Sequence, residues 1–141
     1  MHAKNKISRT ILVVDDDAPI LDCVRRILEQ ADYMVLTSPS GEHALDVIAR
    51  AGASIDLVLS DIVMPGSIGG WILAAKIRQR DVKLPVLFMT GALPEDEEYI
   101  AEIAKTALLL RKPFLPKELV EFIDSHLAEG RLPAPERADI Y

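Results

Sequence analysis

The stretch I-L-V-V-D-D-D, residues 11–17, places three consecutive acids directly after a short run of branched apolar residues. A continuous apolar run of this length is typical of a strand that is buried on both faces, as in a parallel sheet. Similar runs recur along the chain at 33–36, 55–59, 84–89 and 107–110. The sequence therefore predicts five buried strands, the first of which ends in a cluster of carboxylates.

Apolar residues with helical spacing follow each predicted strand. These five stripes begin at Ile20, Ala44, Ile72, Tyr99 and Leu119. Strands and helices in strict alternation predict a doubly wound α/β sandwich around a five-stranded parallel sheet. This domain is expected to span residues 9–128. Gly130, Pro133 and Pro135 then change the composition, and residues 129–141 are predicted to form a flexible C-terminal tail.

Composition excludes several classes of protein. The chain has 141 residues, of which 50% are hydrophobic and 27% are charged, so it is expected to fold as a single domain. The net charge of −6 argues against direct nucleic-acid binding. A single cysteine, Cys23, excludes a disulfide framework, and its helical position predicts a small core residue. No apolar run is long enough to insert into a membrane, and the polar start predicts a cytoplasmic protein.

Polar side chains follow the predicted strands at the edge of the sheet where α/β proteins bind ligands. Asp15 and Asp16 follow the first strand, Asp61 the third, Thr90 the fourth and Lys112 the fifth. Several carboxylates at one edge repel one another and need a cation, for which Mg²⁺ or Mn²⁺ is suited. A lysine and a hydroxyl at the same edge suit a phosphate group. This combination predicts phosphoryl transfer to an aspartate.

The motifs at these strand ends resemble those of the receiver domains of two-component response regulators. They are I-L-V-V-D-D-D (11–17), L-V-L-S-D-I-V-M-P-G (57–66), P-V-L-F-M-T-G (85–91) and R-K-P-F (111–114). The resemblance covers about residues 9–128, with a stand-alone chemotaxis regulator as the nearest type. It implies a flavodoxin-like (βα)5 fold, a three-layer sandwich with strand order 2-1-3-4-5.

The resemblance also implies a role for each polar residue at the strand ends. Asp61 aligns with the phosphoacceptor, and Asp15 and Asp16 align with the acidic pair that holds Mg²⁺. Thr90 aligns with the hydroxyl that follows the phosphoryl group. Lys112 aligns with the lysine that pairs with a phosphoryl oxygen.

Two further features come with this alignment. Val63 is expected to contribute its backbone carbonyl to the metal, so that the type of its side chain is not limiting. The peptide bond between Lys112 and Pro113 is expected to be cis.

Two positions depart from the family pattern. Leu109 stands where many receivers have an aromatic residue whose rotamer reports phosphorylation, and leucine cannot serve in that way. The segment G-S-I-G-G-W (66–71) is one residue longer than the common loop. A signal is therefore expected to leave through backbone movement next to Thr90, toward the face formed by the fourth helix, fifth strand and fifth helix.

The resulting expectation is a phosphoacceptor switch that takes its phosphoryl group from a histidine kinase or a phosphotransfer protein. It would signal by docking to another protein, with homodimer formation possible, and would catalyse only its own phosphorylation and dephosphorylation. Three alternatives stay open at this point. They are a phosphate sink without an output partner, a fragment of a hybrid kinase, and a haloacid-dehalogenase-type phosphatase that uses Asp15. The last lacks a cap domain and has Pro19 in its motif.

Overall fold

The computed structural model describes residues 9–64, 66, 68–81, 83–91, 98 and 108–127. Strands and helices alternate as far as the fourth strand, apart from a short 3₁₀ turn at Gly52–Ser54, and residues 92–97 and 99–107, between the fourth and fifth strands, lie outside the described residues. The strands are β1 (Thr10–Val14), β2 (Met34–Ser38), β3 (Leu57–Asp61), β4 (Val86–Thr90) and β5 (Leu109–Arg111). The helices are α1 (Ala18–Gln30), α2 (Gly41–Ala51), α3 (Gly70–Arg80) and α4 (Pro116–Leu127). The predicted fourth helix near Tyr99 and the predicted tail at 129–141 lie outside the described residues.

All strand pairs are parallel, and the order across the sheet is β2-β1-β3-β4-β5. The predicted doubly wound α/β fold and its strand order are therefore confirmed. The chain places β2 on one side of β1 and β3 on the other side, so the direction in which successive strands are added reverses after β2. Because crossovers are right-handed, this reversal places α1 and α2 on opposite faces of the sheet. Accordingly, α1 contacts α4, and α2 contacts α3.

The core lies on both sides of the three central strands. Every residue of β3 and β4 is buried, as are the last four residues of β1. Edge strand β2 instead alternates between exposed and half-buried residues before it ends at the buried Ser38. The largest fully buried side chains include Phe88, Leu12 and Leu59 from the three central strands. This burial explains why the sequence of those strands is continuously apolar.

The helix starts agree with the sequence, but the predicted position of Cys23 is wrong. The Asp17 side chain caps α1 by accepting a hydrogen bond from the Ile20 N–H at 3.3 Å. Cys23 is exposed, whereas the buried residues of α1 are Val24 and Leu28. One residue corresponds to about 100° of helical rotation, so Cys23 turns away from the face that its neighbour buries. Among the described residues, no helix is both long and apolar enough to span a membrane.

The N-terminus of α3 packs directly against the end of β3. The Gly70 N–H donates to the Ile62 carbonyl at 2.9 Å. A Cβ atom added to Gly70 would lie 2.2 Å from the Asp61 carbonyl oxygen, far inside van der Waals contact. Only glycine permits this approach, which fixes the start of α3 relative to the Asp61 backbone.

We expect Gly70→Ala to lower the free energy of unfolding by about 1–3 kcal/mol, because backbone atoms must move to admit the methyl group. Equilibrium unfolding in urea measures this change. Gly52→Ala is the matched control, since an added Cβ would meet only the Ile48 side chain at 3.4 Å and Gly52 has helical dihedral angles. Equal stability of the two variants would contradict the packing described.

Candidate functional site

Four strand ends meet at one edge of the sheet and bring together the polar residues that the sequence singled out. Asp61 is the last residue of β3, and Thr90 is the last residue of β4. Asp15 directly follows β1, and Lys112 directly follows β5. Because β1, β3, β4 and β5 are consecutive neighbours in a parallel sheet, these four residues lie side by side.

Three carboxylates at this edge are close enough to share one cation. Asp15, Asp16 and Asp61 each place a carboxylate oxygen within 4.8 Å of the others. Asp15 is fully buried and Asp61 is 7% exposed, whereas Asp16 is open to solvent. Oxygen ligands from a few carboxylates, with one side open to water, form the donor set that Mg²⁺ prefers. The residues present therefore fit a magnesium ion, and they fit Mn²⁺ by the same chemistry.

Lys112 bridges two of these carboxylates. Its Nζ atom lies 2.8 Å from Asp15 Oδ2 and 3.4 Å from Asp61 Oδ2. The Lys112 N–H donates to the Thr90 carbonyl at 2.8 Å, which ties the lysine to the end of β4. The following peptide bond, Lys112–Pro113, is cis, as predicted. In this arrangement the ammonium group pairs more closely with Asp15 than with Asp61.

Hydrogen bonds fix both the backbone and the carboxylate group of Asp15. Its N–H donates to the Ser38 carbonyl at 3.1 Å, and its Oδ1 atom accepts from the Asp17 N–H at 2.9 Å. Its other carboxylate oxygen accepts from Lys112. Sequence reasoning missed Ser38 as a support of the site. The sequence feature that could have indicated this role is the position of Ser38 at the end of β2, where it pairs with Val14 at the end of β1.

Burial and nearby charges at the site shift the pKa values of two groups. Burial is the largest effect on Asp61, and together with the nearby Asp15 charge it raises the pKa of Asp61 to about 6, although the Lys112 charge acts in the opposite direction. Burial also disfavours the charged form of Lys112. Its hydrogen bond to Asp15 and the charges of Asp61 and Asp15 outweigh that burial and raise the pKa of Lys112. The site thus holds a firmly protonated lysine next to a carboxylate that is costly to ionise.

Thr90 and Val63 flank this cluster. Thr90 is buried, with 2% of its surface exposed, and its strand neighbours the one that ends in Asp61. The Val63 N–H donates a hydrogen bond to the Asp61 carboxylate, while the Val63 side chain is 52% exposed. The two residues thus place a hydroxyl-bearing side chain and a loop backbone beside Asp61.

This arrangement suits chemistry on an anionic group that carries phosphorus. A carboxylate oxygen of Asp61 is available as a nucleophile, the ammonium group of Lys112 can pair with an anion, and the carboxylate cluster can hold a divalent cation. The three functions lie on neighbouring strands of a rigid sheet, so they are positioned before any substrate arrives.

Comparison with known proteins agrees with this chemistry. The model of the response regulator receiver domain matches residues 11–124 of the chain. Among curated relatives, the response regulator SaeR of Staphylococcus aureus is 28% identical over 117 residues, which are 83% of this chain and 50% of SaeR. The chain therefore spans about half the length of the curated relatives that it matches.

Solved structures show the same similarity. A response regulator receiver domain protein from Clostridium thermocellum has a TM-score of 0.75 and 28% identity, over 86% of this chain and 95% of that one. A complex of CheX and CheY with BeF3 and Mg²⁺ from Borrelia burgdorferi has a TM-score of 0.75 at 21% identity, over 85% of this chain and 90% of that one, and shares the fold. With its family match, sheet order and strand-end cluster, the chain belongs to the response regulator receiver domain family of two-component systems.

Proposed function

We propose that Asp61 is the phosphoacceptor, and that it receives a phosphoryl group from a phosphohistidine of a histidine kinase or phosphotransfer protein. The observation that carries this proposal is the placement of Asp61, at the end of β3, 3.4 Å from the Lys112 ammonium group and within 4.8 Å of two further carboxylates. In the transfer step an Asp61 carboxylate oxygen attacks phosphorus. The phosphorus–nitrogen bond of the donor breaks, and its electron pair stays on the imidazole nitrogen.

Asp15, Asp16 and Asp61 would hold Mg²⁺, and the Val63 carbonyl is proposed as a backbone ligand. When bound, this ion would neutralise charge on the transferring phosphoryl group. The carboxylate cluster supports the assignment, because it gathers three negative charges around one lysine. The CheY of Borrelia burgdorferi, which shares this fold, has been crystallised with BeF3 and Mg²⁺.

Lys112 is proposed to change its partner when Asp61 is phosphorylated. Phosphorylation adds about −1.5 to −2 charge and three acceptor oxygens. Lys112 now lies 2.8 Å from Asp15 and 3.4 Å from Asp61, so only a short movement would bring it to a phosphoryl oxygen on Asp61. The Thr90 hydroxyl is proposed to donate to a second phosphoryl oxygen. Because the Lys112 N–H is bonded to the Thr90 carbonyl, the ends of β4 and β5 would respond together.

The output is proposed to be a docking event rather than catalysis of an outside substrate. A groove of 630 Å³ lies between β5 and α4, lined by residues that include Leu109, Arg111, Glu118 and Phe122. Strand β5 and α4, which is the fifth helix of the sequence prediction, belong to the face on which the output partner is expected to dock. Leu109 is half-buried there, and its aliphatic side chain leaves backbone movement as the route for the signal.

Asp15 is poorly placed to be the nucleophile that a haloacid-dehalogenase-type phosphatase requires. Asp15 is fully buried, and both of its carboxylate oxygens already accept hydrogen bonds, from the Asp17 N–H and from Lys112. Asp61 has the more open carboxylate, at the same edge of the sheet. The geometry therefore favours the receiver function, which we place in the cytoplasm with the kinase that would supply it.

The phosphorylation site can be tested with a small phosphodonor. Incubation of the full chain with phosphoramidate and Mg²⁺ should add one phosphoryl group, detected by intact-protein mass, and peptide mapping should place it on Asp61. Asp61→Asn should abolish the addition, whereas Asp81→Asn, at an exposed carboxylate, should leave it unchanged. A phosphoryl group mapped to Asp15, or one that persists in Asp61→Asn, would refute the assignment.

Binding of Mg²⁺ to the unphosphorylated chain should raise its melting temperature, because a ligand that binds only the folded state stabilises it by mass action. We expect Asp16→Asn to remove most of this rise. Asp17→Asn is the control: Asp17 caps α1 outside the three-carboxylate cluster, and asparagine is also a good N-cap. An undiminished Mg²⁺ response in Asp16→Asn would count against the proposed site.

The raised pKa of Asp61 predicts a dependence of stability on pH. The folded-state pKa of Asp61, about 6, exceeds the ordinary 3.8, so the fold favours the protonated carboxyl group. The stabilising contribution of protonated Asp61 is complete below pH 3.8 and is lost as the pH rises through 6. In EDTA at about pH 7.5, Asp61→Asn should therefore raise the free energy of unfolding by about 1–3 kcal/mol. The gain should vanish near pH 4.

Urea unfolding at a series of pH values measures this difference. Glu121→Gln, at an exposed carboxylate on α4, is the matched control and should show no comparable gain at neutral pH. An Asp61→Asn variant no more stable than the native chain at neutral pH would show that the buried Asp61 carboxylate costs the fold nothing.

A further inference from the structure

Ser38 supports the carboxylate cluster through its backbone, whereas the proposed phosphoryl transfer makes no use of its hydroxyl group. The residue is fully buried at the end of β2, and its carbonyl accepts a hydrogen bond from the Asp15 N–H at 3.1 Å. Its hydroxyl oxygen lies 2.8 Å from the Nδ1 atom of His43 and 3.0 Å from the Ser40 carbonyl oxygen. Ser38 therefore joins the backbone of Asp15 to a histidine side chain on α2.

The two contacts of the Ser38 hydroxyl group indicate which partner donates to it. A serine hydroxyl has one proton to donate and two directions from which it can accept. Both contacts are satisfied at once when the Ser38 O–H donates to the Ser40 carbonyl and the Nδ1–H of His43 donates to the Ser38 oxygen. The imidazole of His43 then restrains a hydroxyl group that is completely removed from water.

The start of α2 holds His43 in this position. The His43 N–H donates to the Ser40 side chain at 3.1 Å, which is the N-cap interaction of the helix. Gly41 is buried against the loop that follows β3, where an added Cβ atom would lie 2.5 Å from the Ile68 carbonyl oxygen. The first turn of α2 thus has little freedom to move, and the His43 ring reaches the end of β2 from a fixed backbone.

The position of Asp15 matters because it sets the spacing of the carboxylates. Asp15 accepts hydrogen bonds from the Asp17 N–H and from Lys112, and its own N–H donates to Ser38. If Lys112 exchanges Asp15 for Asp61 as proposed, only the contacts with Asp17 and Ser38 remain to hold Asp15. Mg²⁺ requires near-ideal octahedral geometry, so a small displacement of one carboxylate lowers its affinity.

We propose that His43 is a positioning residue for Mg²⁺, which acts through the Ser38 hydroxyl group and the backbone hydrogen bond between Ser38 and Asp15. This role rests on the function proposed for the carboxylate cluster. It gives His43 no contact with the metal or the phosphoryl group and no part in proton transfer. Without the imidazole, the end of β2 is less restrained and Asp15 is held less firmly beside Asp16 and Asp61.

The dissociation constant of Mg²⁺ tests this role, measured by titration of the full chain and followed by its amide NMR signals. His43→Ala should raise the constant about fivefold, through the loss of one hydrogen bond behind the cluster. His43→Asn should restore most of the affinity, because its amide nitrogen takes the place of Nδ1 as a donor to Ser38. His126→Ala is the matched control on α4, where the ring nitrogen is bonded within its own helix, and it should leave the constant unchanged.

Hydrogen exchange of the Asp15 amide tests the same link without metal. In EDTA, His43→Ala should speed this exchange about fivefold, while the amides of β3 exchange as in the native chain, since the change is local. Ser38→Ala should weaken Mg²⁺ binding at least as much as His43→Ala. The double variant should bind no more weakly than Ser38→Ala alone, because both substitutions remove the same hydrogen bond.

A native Mg²⁺ affinity or a native rate of Asp15 exchange in His43→Ala would overturn the role of His43. A His43→Asn variant as weak as His43→Ala would also overturn it, since the hydrogen bond would then not be the cause. A native chain that binds no Mg²⁺ would instead contradict the metal site of the proposed function, and the role of His43 would fall with it.

Discussion

One lysine shared between two carboxylates is the interaction on which this site depends. Lys112 lies 2.8 Å from Asp15 and 3.4 Å from Asp61, and both carboxylates are almost fully removed from water. Buried charges are costly unless they are paired, and here one ammonium group serves two carboxylates. The exposed Asp16 adds a third negative charge to the cluster. The site is thus left with an excess of negative charge that a divalent cation can relieve, and with a lysine that has two possible partners.

The sheet maintains this excess of negative charge, because the charged residues of the site are attached to different strands. Asp15 is fixed to β2 through the Ser38 carbonyl, and Lys112 is fixed to β4 through the Thr90 carbonyl. Asp61 belongs to β3 itself, and its carbonyl lies against Gly70 at the start of α3. The carboxylates therefore cannot move apart to lower their repulsion. A change of charge at Asp61 must instead be met by movement of Lys112 or of the strand ends attached to it.

Sequence patterns predicted the parallel sheet and the polar residues at its strand ends, because both follow from local chemistry, whereas the order of the strands was implied only by the resemblance to receiver domains. Buried parallel strands are continuously apolar, and a polar residue at the end of such a strand is conspicuous. The predicted strand boundaries were displaced, however. The run at 55–59 predicted a strand that the structure has at Leu57–Asp61, because the hydrogen-bonded ladder includes the polar Ser60 and Asp61, which pair with β4.

Other features depend on contacts between distant elements and leave no local pattern. Cys23 has the spacing of a core residue, yet it faces solvent because the buried face of α1 is centred on Val24 and Leu28. The preference of Lys112 for Asp15 over Asp61 is a difference of a fraction of an ångström, and the lysine is far from both carboxylates in sequence, 97 positions from Asp15. A pocket beside the site, between α1 and the loop after β5, likewise exists only in the folded chain.

The most direct test of this account is a crystal structure of the chain with Mg²⁺ and beryllofluoride, a stable mimic of a phosphoryl group on aspartate. The account predicts beryllium bonded to an Asp61 carboxylate oxygen, with Lys112 Nζ moved from Asp15 to within hydrogen-bond distance of a fluorine atom. Beryllofluoride bound at another residue would contradict the central role of Asp61. A Lys112 ammonium group still paired with Asp15 would contradict the proposed exchange of partners.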